Sequence, residues 1–208
     1  VDFKEFFPRE KPEVLLEKYK LSDKLVLLTA SRLVKRKGQD FVIRVFSRLV
    51  RSYPDLHLLI VGDGPERGDL EKLTNELFVQ SKVSFTGFKN DMSQYYNLCD
   101  IFVMLNRKEP PQTNESLSIE GFGMVFIEAA ACGKPVIGGR SGGSIYAIDH
   151  EKNGFLVDPE NEEEAFQLGF FKDENNNLEL PPKRTYNNYL TQLDKEKLNF
   201  IAEKILSL

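Results

Sequence analysis

The chain has 208 residues, 41% of them hydrophobic, which is enough for one well-cored domain and too few for two large ones. A net charge of −4 argues against a general nucleic-acid binder, whose surface would be basic. Two cysteines and two histidines without short-spaced partners exclude a disulfide framework and give no metal site.

In chain order, short apolar runs alternate with amphipathic stretches from Leu25 to about Leu168. Leu25–Ala30 (LVLLTA) is continuously apolar, as a strand buried on both faces should be. Residues 39–53 follow as a helix with Phe41, Val42, Val45, Phe46, Leu49 and Val50 on one face and Arg44, Arg48 and Arg51 on the other. That basic side is either a docking patch or a solvated helix face. Then come a strand at Leu56–Val61, a helix at 66–78, a strand at 83–86, a helix at 91–98 and a strand at 101–105. An apolar helix at 124–132 and strands at 135–138 and 155–157 complete the series. The alternation predicts right-handed βαβ crossovers: an α/β fold with a Rossmann-like parallel sheet and helices on both faces. Ligands of such sheets bind beyond the carboxyl ends of the strands, at the switch point.

Two segments break the pattern. Residues 106–119 form a long polar loop with Pro110 and Pro111, too long for an ordinary βα connection. From Phe170 the chain turns polar and ends in a predicted helix at 195–206, with Leu198, Ile201 and Ile205 on one stripe. The expected division is a Rossmann-like domain at 1–168 and a divergent tail at 169–208. Cys99 and Cys132 stand in apolar settings and read as buried thiols of a reducing compartment. No apolar run of about 18 residues occurs and no charged-then-apolar leader opens the chain, so the expectation is cytosolic.

The helix at 124–132 (MVFIEAAAC) is apolar all round except for Glu128, so it is expected to be buried. An ionised carboxylate there costs several kcal/mol unless something pairs with it. Upstream, Glu120 is followed by Gly121, Phe122 and Gly123. The two glycines let backbone amides approach a ligand, and the helix start adds a positive dipole end. Glu120 and Glu128 thus flank an anion-receptive loop, in a placement that suits hydroxyls on either side of a phosphate. The alternative is a capping glutamate plus a satisfied core glutamate.

The loop after the first strand, SRLVKRKG at 31–38, offers Arg32 and Lys37 as two cations for a diphosphate; a solvated basic turn is the competing explanation. Gly62-Asp63-Gly64-Pro65 after the second strand partly matches the dinucleotide fingerprint, but Arg67 occupies the third glycine position and a tight turn would explain it as well. No G-x-x-x-x-G-K-[ST] occurs, so a P-loop is excluded.

In order, the chain carries Ser-Arg-Leu-Val-x-x-Lys-Gly at 31–38, Gly-Asp-Gly-Pro-Glu at 62–66, Val-Ser-Phe-Thr-Gly at 83–87 and Glu-x7-Glu at 120–128. Ala-Cys-Gly-Lys-Pro-Val-Ile at 131–137, Ser-Gly-Gly at 141–143 and Asn-Gly-Phe-Leu-Val at 153–157 follow. Over about residues 1–168 this series resembles the C-terminal, nucleotide-sugar-binding domain of family-4 retaining glycosyltransferases of the GT-B fold. Val1-Asp2 with Phe7-Pro8 resembles the segment by which that family enters its second domain. EGFGMVFIEA at 120–129 is similar to the mannosyltransferase members that use GDP-mannose, and relatives that use UDP-sugars carry a similar stretch.

The resemblance implies a role for each matching position. Arg32 and Lys37 would neutralise the diphosphate, and Glu128 would accept hydrogen bonds from the ribose hydroxyls. Glu120 would face the donor sugar and support positive charge at its anomeric carbon. Gly121 would line the nucleotide-sugar site, and backbone amides of Phe122, Gly123, Met124 and Val125 would hold sugar hydroxyls and the distal phosphate. Gly62 would line the nucleotide site, while Phe88 and Asn90, in the stretch 87–90, would face the base.

No Asp-x-Asp clamp appears, so no metal or cofactor is expected; the substrate is a GDP- or UDP-sugar. The N-terminal acceptor domain of the family is not in the sequence. The chain is therefore expected to bind a nucleotide sugar and to transfer nothing by itself. Any contact with the cytosolic face of a membrane would be peripheral and made through that other domain. Two alternatives stand beside this expectation: a nucleotide-sugar epimerase of related architecture, and a non-catalytic module that binds nucleotide sugars or scaffolds an assembly.

Overall fold

The strand-and-helix alternation is realised as one parallel sheet. The computed structural model of the protein describes residues 1–108, 122–150, 152–159 and 161, together with the backbone of two short strands in the tail. In chain order these hold α1 (Glu13–Tyr19), β1 (Leu25–Ala30), α2 (Gln39–Ser52), β2 (Leu56–Val61), α3 (Arg67–Glu76), β3 (Val83–Gly87) and α4 (Met92–Leu98). Then follow β4 (Ile101–Met104), α5 (Met124–Ala131), β5 (Val136–Gly139), α6 (Ser144–Ala147), β6 (Gly154–Val157), β7 (Phe171–Lys172) and β8 (Leu178–Glu179).

The six strands β1 to β6 pair in parallel in the order β3-β2-β1-β4-β5-β6. The chain steps outward from β1 to β3 and then returns to the other side of β1, so the order reverses between β1 and β4. This is the switch point at which an open α/β sheet leaves a crevice.

Strand periodicity sorts the core into two layers. Leu27 of β1, Leu58 and Ile60 of β2 and Ile101 and Val103 of β4 pack with α2 and α3. The alternate residues Val26, Leu28, Leu59, Phe102 and Met104 pack with α4, α5 and Leu15 of α1. Each such fully buried side chain contributes about 1.5–3 kcal/mol, which is why the strands read as unbroken apolar runs rather than alternating ones. On α2 the apolar stripe is buried while Arg44 and Arg51 are exposed. Cys99 and Cys132 are free and buried, and burial pushes their thiols up to about 12 and about 11. Among the described residues no helix is long and apolar enough to cross a membrane.

The structure departs from the sequence expectations in four places, one of them the four-residue helix α6, which no pattern announced. The α1 helix was not foreseen: it is a single amphipathic pair of turns with no side-chain cap, stopped by Lys20 in the left-handed conformation. In the tail, β7 and β8 form an antiparallel pair where only polar chain was expected; the helix expected at 195–206 lies outside the described residues. Finally, α5 is not the buried rod its composition implies. Phe126, Ala129 and Ala131 are buried, but Met124 is 42% exposed and Glu128 is half-buried. The helix covers the sheet with one side and leaves another open.

Candidate functional site

The loops that leave β1 and β2 are locked together by their backbones. Ser31 N–H donates to the Val61 carbonyl and Leu33 N–H to the Asp63 carbonyl at 3.1 and 3.0 Å. Glu66 N–H reaches back to the Leu33 carbonyl, and Gly62 N–H donates to the carbonyl of Gly87, the last residue of β3. This close approach requires glycine at 62, where φ is 126° and an added Cβ would stand 2.0 Å from the Ser31 oxygen. Gln39, buried at the start of α2, donates from Nε2 to Ser31 Oγ (2.8 Å) and to the Arg32 carbonyl (3.1 Å). Arg32 is thus presented from a fixed backbone although its own side chain is exposed.

Beyond these strand ends lies a cavity of about 440 Å³, in the range of small-molecule sites. Its floor is apolar, from Ala30, Val61, Met92 and Val125, and its charged groups are Arg32, Lys89, Asp63 and Glu128. Gly62, Phe88 and Tyr96 complete the part that matters here. Val125 and Glu128, one helical turn apart, enter from the open side of α5. Cations and carboxylates around an apolar floor suit a ligand with an anionic part, a hydroxylated part and a flat or aliphatic part.

Glu128 already has a protein partner. Tyr96 of α4, fully buried, donates its hydroxyl to Glu128 Oε2 at 2.8 Å. Burial and then the Glu128 charge hold the phenol well above its ordinary pKa, so it stays a donor. Its ring is fixed by edge contacts to Phe6 and Phe102, with centroids 5.9 and 5.6 Å away.

Of the residues expected at the site, Arg32, Gly62, Phe88, Val125 and Glu128 line this one cavity. Lys37, Asn90, Phe122, Gly123 and Met124 are not among its walls. Lys37 ends a 3-10 turn (Lys35–Lys37) that is fastened toward the exit of β4. There Arg107 N–H donates to the Arg36 carbonyl, the Arg107 guanidinium pairs with Asp40 at 3.0 Å, and Gly38 packs on the Leu105 carbonyl. Gly123 is the N-cap of α5, in the left-handed conformation. Glu120 and Gly121 lie outside the described residues. Among the described residues no cluster of three or more potential metal ligands occurs.

Tyr96, Lys89, Met92, Asp63 and Gln39 were not singled out from the sequence. Tyr96 could have been found by asking which donor an apolar helix offers to an acid in another apolar helix, since a buried tyrosine hydroxyl needs a partner. Lys89 is the only cation in the short loop between β3 and α4. His57 on β2 belongs to the scaffold: its Nε2 meets Ser84 Oγ at 2.9 Å. Burial, with Lys82 and Lys24 nearby, lowers its pKa to about 4.

Comparison with known proteins places this architecture. The pattern of the family described as glycosyl transferases group 1 matches residues 13–187. The chain is 40% identical over 144 residues to the GDP-mannose-dependent alpha-(1-6)-phosphatidylinositol monomannoside mannosyltransferase of Mycolicibacterium smegmatis, covering 68% of this chain and 37% of that protein. Anabaena HepE, solved in complex with UDP and glucose, superposes with a TM-score of 0.70 at 26% identity, over 80% of this chain and 44% of that one. The C-terminal domain of a glycosyl transferase group 1 family protein from Francisella tularensis superposes with a TM-score of 0.66 at 25% identity, over 80% of this chain and 84% of that one. The match therefore spans less than half of the mannosyltransferase and of HepE, and 84% of the isolated C-terminal domain. With that match over most of its length, on a sheet of this topology, the chain belongs to the group 1 glycosyltransferase family.

Proposed function

We propose that this chain is the donor-binding half of a retaining, family-4 glycosyltransferase of the GT-B fold. It holds a nucleoside diphosphate hexose, GDP- or UDP-linked, while the hexosyl group passes to a hydroxyl acceptor on a second domain. One observation carries the assignment: Arg32 and Glu128, which come from opposite halves of the sheet, line the same cavity at the switch point. The mannosyltransferase relative supports a GDP-sugar, and the UDP-bound neighbour supports a UDP-sugar.

In the transfer, the bond between the anomeric carbon and the diphosphate oxygen breaks with its electron pair going to that oxygen. Arg32, on the cavity wall, offsets the negative charge that builds there, and Lys37 adds its positive field from the turn behind that wall, so no metal ion is needed for that step. Glu120 faces the sugar and stabilises the positive charge left on the anomeric carbon. The acceptor oxygen bonds to that carbon on the face the diphosphate leaves, and gives its proton to the leaving group. Glu128 holds the ribose hydroxyls, the amides of Phe122 to Val125 hold the sugar and distal phosphate, and Phe88, Asn90 and Gly62 border the base and nucleotide. The chain alone transfers nothing. It works in the cytosol, and any contact with a membrane surface is made by the acceptor domain.

Calorimetric titration of GDP, UDP and ADP, each with and without its common sugars, tests the assignment. One base should be preferred with saturable binding, and both Arg32→Ala and Glu128→Ala should weaken it at least tenfold. Parent-like affinity in either variant would remove the assignment. Retention and transfer are then read from the anomeric configuration of the product once an acceptor domain is supplied.

A further inference from the structure

We propose that Tyr96 is a positioning residue. By donating its hydroxyl hydrogen to Oε2 of Glu128 it fixes the carboxylate so that Oε1 meets the ribose hydroxyls, and it thereby makes the site select ribonucleotides over deoxyribonucleotides. This role rests on the nucleotide-binding function proposed above.

Three observations lead to it. The first is the hydrogen bond itself, 2.8 Å long, between two residues that both line the cavity. The second is rigidity. Tyr96 is wholly buried, its ring is clamped edge-on between Phe6 and Phe102, and its carbonyl accepts from Cys99 Sγ at 3.2 Å. A tyrosine held in this way has no rotamer freedom left to lose. The third is that Glu128 is not held by its own element. It is half-buried on an eight-residue helix, and the Tyr96 hydroxyl from another helix meets its carboxylate. A glutamate has three side-chain torsions to order, and an acid left to sample them would meet a ribose only part of the time. Holding one oxygen orders the other before the ligand arrives, so the ordering cost falls outside the binding step. A contact that served only to satisfy the tyrosine would need no opening to the cavity.

The test uses the 208-residue chain and four probes, GDP, UDP and their 2′-deoxy counterparts, titrated by calorimetry. The measured quantity is the ratio of ribonucleotide to deoxyribonucleotide affinity. The parent should favour the ribonucleotide at least tenfold. Tyr96→Phe keeps the ring and removes one oxygen; it should retain the parent's circular dichroism and reduce that ratio two- to tenfold. Glu128→Ala should abolish the preference, and adding Tyr96→Phe to it should change the ratio no further, because the tyrosine acts through the acid. An undiminished ratio in Tyr96→Phe overturns the positioning role and leaves the nucleotide site standing. So does an equal reduction with and without Glu128, which would mark a general packing effect. A parent that binds ribonucleotide and deoxyribonucleotide alike, or neither, removes the ribose assignment and the role of Tyr96 together.

Discussion

The two sides of the cavity are built in different ways. On the β1–β2 side, position is set by backbone: the strand-exit loops exchange main-chain hydrogen bonds, glycine removes the obstruction, and Gln39 ties the turn from behind. The side chain proposed to act there, Arg32, is itself exposed. On the α4–α5 side, position is set by side chains: an aromatic row runs from Phe6 through Tyr96 and Phe102 to Phe126, and the Tyr96 hydroxyl within it holds a half-buried acid. The difference teaches where each half is vulnerable. Backbone changes should damage the first and leave little folded, whereas side-chain changes in the second should alter recognition with the fold intact.

The sharpest break is Gly62→Val. Its φ of 126° and the 2.0 Å approach to Ser31 leave no room for a Cβ, so a stability loss of about 3–5 kcal/mol is expected, read from denaturant midpoints. A loss under about 1 kcal/mol would show that the loop pair is looser than described. Next is Glu128→Gln, which removes the charge but keeps an oxygen to accept from the buried Tyr96 hydroxyl, and should weaken nucleotide binding several-fold while stability changes by no more than about 1 kcal/mol. Equal losses of binding and stability would erase the contrast between the two sides.

Gln39→Ala sits between these. It removes two hydrogen bonds from a buried site, so a stability loss of about 1–3 kcal/mol is expected, together with a few-fold loss of affinity from the freed Arg32 turn. Stability loss without any change in affinity would show that Arg32 needs no support from behind.

The smallest effect concerns pH. His57 has a lowered pKa, about 4, so the folded chain refuses a proton that the unfolded chain accepts at its ordinary 6.5. The resulting stability is complete above about pH 6.5 and is lost as the pH falls toward 4, by about 1–2 kcal/mol at pH 5. Comparing unfolding midpoints at pH 7.5 and 5 for the parent and His57→Gln isolates it: the variant should lose less. Because His57 meets Ser84 near the amino-terminal ends of β2 and β3, away from the strand ends that border the cavity, the same acid shift should leave the Tyr96–Glu128 pair intact.

Much of the fold was legible because it depends on local pattern. A strand buried on both faces must be apolar throughout, and α2 must alternate with a period near 3.6, so LVLLTA, LHLLIV and the α2 stripe announce themselves. Helix α6 and the β7–β8 pair escaped because each is too short for a period to register, and α1, as long as α4, escaped because it precedes the first strand and so stands outside the alternation. Arg32 and Glu128 were legible for another reason: a basic loop after a strand and an acid in an apolar helix each need an explanation.

What the amino-acid order determined by itself was the succession of elements and the chemical types brought to their ends. Tertiary structure alone decided that the chain doubles back after β3 to place β4 beside β1. That return brings α4 and α5 to the crevice, pairs Tyr96 with Glu128 across 32 residues, and leaves the apolar face of α5 partly open. No local pattern encodes such a pairing, because burial of two faces of one sheet is satisfied collectively: which helix meets which is settled only when every strand has a neighbour.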